Sequence, residues 1–164
     1  MADQDKDDLW NQRFLEVCET VAGWSEDRDR HVGAVVVGPG NEIRATGYNG
    51  LPRGVKASDD ARFDRPSGEK FFWIEHAERN AIYNAARSGA ALDGCTIYVN
   101  RFPCADCARA IIQSGIIRVV SPAIPENDGA LDHSFQVSAV MLSEAGVKMS
   151  HVQNGDIRKA SGIA

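Results

Sequence analysis

Long apolar runs are missing from this 164-residue chain. Apolar stretches such as Ala34–Val37 fall far short of the ~20 residues that a membrane-crossing helix needs. The opening residues, MADQDKDDLW, lack a basic start followed by an apolar segment, so no export signal is expected and the reading is cytoplasmic. A basic excess is missing as well. Eighteen Lys and Arg against 23 Asp and Glu give a net charge of -5, which argues against long nucleic acids as substrates. Cysteine is sparse, and the four residues Cys18, Cys95, Cys104 and Cys107 do not make a disulfide scaffold. Cys18, on an apolar helix face, and Cys95, at a strand start, read as buried structural thiols. Cys104 and Cys107 lie close enough to suggest metal or redox chemistry.

What remains is ordinary for a globular protein: 43% apolar and 25% charged residues, in a length that fits one domain spanning 1–164. Residues 9–24 place Leu9, Trp10, Phe14, Val17, Val21 and Trp24 at helical spacing. The β-branched run from Val32 ends at Gly38-Pro39-Gly40, and Ile43–Tyr48 reads as its hairpin partner. Residues 49–70 are rich in Gly, Pro, Asp and Arg and read as a long active-site loop without structure of its own. Helices follow at Glu75–Arg87, Cys104–Ser114 and His133–Ala145, with strands at Cys95–Val99, Ile116–Val120 and from Val147. The last dozen residues read as a frayed tail. This alternation predicts a three-layer α/β/α domain, with its core over about residues 9–150.

Two short clusters carry chemistry. Cys104 and Cys107 are three apart in the first turn of a helix, so they share a face, and the helix start favours their thiolates. Thiolates at that spacing are good zinc ligands, and His76 is the natural third donor. Three protein donors leave a fourth position for water, as in catalytic rather than structural sites. Glu78 stands two residues after His76, about 200° around a helix. The two side chains therefore converge only if the metal sits beyond the helix start. A carboxylate in that place can take a proton from an activated water and pass it to a leaving nitrogen.

His-x-Glu with Pro-Cys-x-x-Cys is the signature of zinc nucleobase deaminases. The chain resembles the cytidine/deoxycytidylate deaminase superfamily, closest to its deoxycytidylate (dCMP) branch. The likeness rests on VGAVVV (Val32–Val37), GYNGLPRG (Gly47–Gly54), HAERNAI (His76–Ile82) and FPCADCARAIIQSGIIRVV (Phe102–Val120). It implies a mixed five-stranded sheet between helices, one zinc ion on His76, Cys104 and Cys107, and proton transfer by Glu78. It also implies contact of Asn49 with the sugar and of the Ala77 backbone with the base. Assembly into homo-oligomers, dimers or hexamers, and regulation of some members by dCTP and dTTP follow from the same resemblance.

Where many members read Ser-Lys-Asp-Pro, this chain reads Ser25-Glu26-Asp27-Arg28, continuing Asp29-Arg30-His31. Arg30 and His31 are phosphate candidates there, against a solvated charged stretch. Arg53 is a third candidate, against a mobile loop. The alternative to the sugar contact of Asn49 is a side chain that only holds its own turn. Residues 49–70 contain no Cys or His, so no second zinc is expected. The implied reaction is hydrolysis of dCMP to dUMP and ammonia. The alternatives are a sister deaminase acting on cytosine, guanine, CMP, dCTP or a modified base, and a non-catalytic zinc-binding scaffold. A scaffold has no use for the proton-shuttling Glu78.

Overall fold

The computed structural model describes residues 2–152, with side chains from residue 7 onward. Five strands form one sheet in the order β2-β1-β3-β4-β5: β1 (Gly33–Val37), β2 (Ile43–Tyr48), β3 (Thr96–Val99), β4 (Arg118–Pro122) and β5 (Lys148–Val152). β1 pairs antiparallel with β2 and β3, whereas β3, β4 and β5 run parallel. Among the described residues the α-helices are α1 (Ala2–Ala22), α2 (Lys70–Trp73), α3 (Ala77–Ser88), α4 (Ala105–Gln113) and α5 (Asp132–Glu144).

The strand β1 is buried on both faces, and alternation along it separates two cores. Val35 and Val37 pack with Phe14, Leu15 and Cys18 of α1. Ala34 and Val36 face the other way, into a larger cluster with Ala77, Ala81 and Ala85 of α3, Ile111 of α4 and Leu142 of α5. The sheet is thus the middle layer of three, and the mixed five-stranded α/β/α architecture expected from the sequence is the one observed.

Two glycines set the layer spacing. A methyl group on Gly47 would lie 2.3 Å from the Ala77 carbonyl oxygen and 2.3 Å from the Ala81 nitrogen. Only a bare α-carbon lets β2 touch the start of α3. Gly33 plays the same part against α1, where a methyl group would lie 2.0 Å from the Cys18 carbonyl oxygen.

Several boundaries differ from the sequence reading. α1 begins at Ala2, and Trp24 lies beyond its end, 61% exposed, against the edge of Tyr48. Trp24 therefore belongs to the surface, and the buried apolar residues of α1 end at Val21 and Ala22. β4 runs two residues later than Ile116–Val120, because Ile117 turns outward before the ladder begins. The 49–70 segment is not structureless. It holds a 3-10 turn at Asp60–Phe63, capped by the Asp59 carboxylate on the Ala61 N–H, and it runs into α2. Leu51, Phe63 and Ile74 give it a small core of its own. Val152 closes β5, and the rest of the expected tail lies outside the described residues.

Candidate active site

The chemistry-bearing side chains gather where α3 and α4 begin. His76 is the N-cap residue of α3 and Cys104 the N-cap residue of α4, both with extended backbone. Neither uses its side chain to cap its helix, so both are free to meet beyond the helix ends. Cys107 lies one turn into α4 and reaches the same point. The Cys104 Sγ and Cys107 Sγ atoms each stand 3.4 Å from His76 Nδ1. The three donor atoms lie within 4.8 Å of one another. A tetrahedral zinc with ordinary bond lengths separates sulfur from nitrogen by about 3.5 Å, so the donor set fits that ion.

The electrostatics suit a metal as well. The Cys107 thiol, donating to Cys104, brings the Cys104 pKa down to about 4, with His76 adding to the effect. Cys107 is pushed well up by the same bond and by burial. Burial pushes the His76 imidazolium down, but Cys104 and Glu78 more than offset this and carry its pKa up.

Glu78 occupies the second position of α3 and is 4% exposed. Burial raises its pKa, with His76 opposing. A carboxyl in this place, beside a metal site, can take a proton from one group and hand it to another.

His76, Glu78 and Cys104 open onto one pocket, which is also lined by Ala77, Asn49, Phe71 and Phe102. Asn49 is buried, with both Nδ2 hydrogens and one Oδ1 lone pair engaged. Its Oδ1 accepts the Val32 N–H at 2.8 Å, and its Nδ2 donates to Asp27 Oδ2 at 3.1 Å and to the Arg30 carbonyl at 2.8 Å. It thereby holds residues 27–32 along the pocket edge. Arg30 lines the pocket, its guanidinium 2.6 Å from Asp128. His31 and Arg53 do not line it. His31 Nε2 sits 2.8 Å from the Asp27 carbonyl, and Arg53 hydrogen-bonds Asn84 on α3.

Sequence reasoning missed four residues around this pocket. Lys70 is buried and donates from Nζ to Asp27 Oδ1 at 2.8 Å and Asp29 Oδ2 at 3.1 Å, which pins the long segment to the strand entrance. Arg65 and Arg101 line the pocket and join Arg30 at Asp128. Arg101 had one usable signal, its place between β3 and the Pro103-Cys104 motif. The others had none.

A His-Cys-Cys donor set with a buried glutamate, built at two helix starts on an α/β/α sheet, defines a zinc-dependent hydrolytic deaminase. The cytidine and deoxycytidylate deaminase zinc-binding region matches residues 8–123, and the chain belongs to that family, with zinc as its cofactor. An uncharacterized deaminase from Aliivibrio fischeri is 42% identical over 142 residues, covering 86% of this chain and 92% of that protein. The deoxycytidylate deaminase of Mus musculus is 40% identical over 116 residues, covering 68% of this chain but 63% of the mouse enzyme. The crystal structure of the cyanophage S-TIM5 dCMP deaminase with dCMP and dUMP superposes with a TM-score of 0.68 at 25% identity, covering 85% of this chain and 94% of that one.

Proposed function

We propose that this chain hydrolyses dCMP to dUMP and ammonia. The observation that carries the reading is the composition of one pocket. Glu78, His76 and Cys104 line it together with Arg30, Arg65 and Arg101, and Cys107 completes the donor set with His76 and Cys104. A pyrimidine with its amine beside Glu78 can therefore carry a 5'-phosphate toward the guanidiniums, which suit phosphate geometry. The mouse and cyanophage relatives, named for this activity, support the same substrate.

In this reading His76, Cys104 and Cys107 hold the zinc, and Ala77 presents its backbone to the base. The ion, when bound, lowers the pKa of a coordinated water and acts as a Lewis acid. The water oxygen bonds to the ring carbon that carries the amine; of its two protons one ends on the adjacent ring nitrogen and the other, passed on by Glu78, on the departing nitrogen. One water is consumed, the carbon–nitrogen bond breaks, and ammonia and a ring carbonyl result. Phe71 and Phe102 give the same pocket apolar walls against which a flat base can lie.

Asn49 faces the sugar in this arrangement, and its existing bonds to Val32, Asp27 and Arg30 fix its orientation. None of the described helices is long and apolar enough to cross a membrane. We assign the protein to the cytoplasm, in keeping with four free cysteines. We also assign it to a homo-oligomer, in keeping with exposed Tyr48, Tyr83 and Phe72.

Ammonia release from purified zinc-loaded protein tests the substrate. The panel is dCMP, CMP, dCTP, deoxycytidine, cytosine, adenosine and guanine. The expected result is preference for dCMP by at least about two orders of magnitude in kcat/KM over deoxycytidine, since a hydrogen-bonded charged group is lost with the phosphate. Activity confined to another member of the panel overturns the substrate and keeps the metal chemistry.

A further inference from the structure

Three arginines from distant parts of the chain end on a single carboxylate. Arg30 precedes β1, Arg65 belongs to the long segment, and Arg101 follows β3. Arg30 NH1 lies 2.6 Å from Asp128 Oδ1, Arg65 NH2 lies 3.1 Å from Oδ2, and Arg101 also bonds Oδ1. The arginines line the pocket, whereas Asp128 does not and its side chain is only 3% exposed. The carboxylate thus stands behind the wall that the guanidiniums form.

The loop carrying Asp128 is shaped for this. Asn127 and Gly129 on either side have φ of 58° and 81°, a backbone region that few side chains adopt. The Asp132 carboxylate at the start of α5 accepts the N–H groups of Asp128 at 2.7 Å and Gly129 at 3.1 Å. The turn is therefore fixed to a helix.

Charge is left over. Three guanidiniums against one carboxylate leave a net +2 in a half-buried cluster. Burial and the neighbouring Arg30 and Arg65 lower the Arg101 pKa, although Asp128 pulls it the other way. The other buried cation of the pocket, Lys70, is already satisfied by Asp27 and Asp29. A phosphate monoester near neutral pH carries about -1.5 to -2 and matches the surplus.

We propose that Asp128 is a positioning residue that gathers Arg30, Arg65 and Arg101 into a preformed subsite for a phosphate monoester dianion. It sets the preference for a nucleotide over a nucleoside without touching either. The inference rests on the nucleotide reading above for the identity of the substrate. It does not rest on that reading for the anion site itself. Without the anchor the three guanidiniums repel one another, and Arg65 and Arg30 swing toward solvent. Phosphate then has to assemble its own site, and affinity falls.

The test uses zinc-loaded full-length protein, calorimetric titration with inorganic phosphate, and dCMP kinetics. Wild type is expected to bind phosphate. D128N, nearly isosteric and uncharged, should bind it about tenfold more weakly, and D128E should recover most of the loss. With dCMP, the rise in KM in D128N should exceed any fall in kcat by about tenfold, a split that general loosening of the fold does not produce. R65Q removes one guanidinium from the separate long segment and should also weaken phosphate binding, whether or not D128N folds. Absence of phosphate binding in wild type overturns the subsite. Equal phosphate affinity in wild type and D128N overturns the anchor, and equal affinity in wild type and R65Q overturns the shared cluster. Wild type that binds phosphate but leaves dCMP intact supports the anion site and sinks the dCMP reading alone.

Discussion

Glu78 is only 4% exposed, yet the proposed mechanism asks its carboxyl to exchange protons. It sits one position into α3, beside a donor set held by its helical neighbour His76. Replacing it by Gln keeps the shape and much of the hydrogen bonding but removes the exchangeable proton. E78Q is expected to retain zinc, read as metal per chain by mass spectrometry, and to melt close to wild type. Turnover of dCMP should fall by about 10²–10⁴, the usual worth of a positioned general acid–base group. Ammonia release within threefold of wild type would remove Glu78 from the mechanism. His76, Glu78, Cys104 and Cys107 were legible in the sequence because each pair is local, and helix geometry converts local spacing into shared direction. Lys70 and Asp128 were not. Their partners stand 43, 63 and 27 residues away, and a charged residue in a polar segment reads the same whether it is solvated or buried in a pair.

At the scale of elements, hydrophobic period located the strands and helices, and packing shifted their ends. β1 and β2 were readable because a continuous β-branched run and a Gly-Pro-Gly turn agree. The small core at Leu51, Phe63 and Ile74 escaped, since its three members are too far apart in the chain to form a period. Gly47 shows why the GYNG segment serves the site before any substrate arrives. β2 can lie on the first turn of α3 only where no methyl group intervenes, and that first turn carries Ala77 and Glu78. Gly47→Ala forces backbone against backbone, which neither element can relieve by turning a side chain. We expect a loss of about 3 kcal/mol or more in urea-induced unfolding. Activity should fall further than the folded fraction, because α3 moves with the strain. A G47A protein with wild-type stability would show that the two elements are free to part.

For the molecule as a whole, the metal ties two helices that already share a core. Ala77 at the start of α3, with Cys104, Cys107 and Ala108 at the start of α4, belongs to the cluster that also holds the inner face of β1. Zinc binding therefore stabilises the folded state and not the open chain, where the donors are 28 and 31 residues apart. At zinc a thousandfold above its dissociation constant, linkage gives about 4 kcal/mol. For a domain of this size that corresponds to about 8–16 °C in Tm. Chelation should lower the melting temperature by an amount in that range, and added zinc should restore it. Cys104→Ala, which leaves two donors, should melt near the chelated wild type and ignore added zinc. A chelated protein that melts with the holoprotein would mean that the helix starts are held by the apolar cluster alone, and that the metal serves only the reaction.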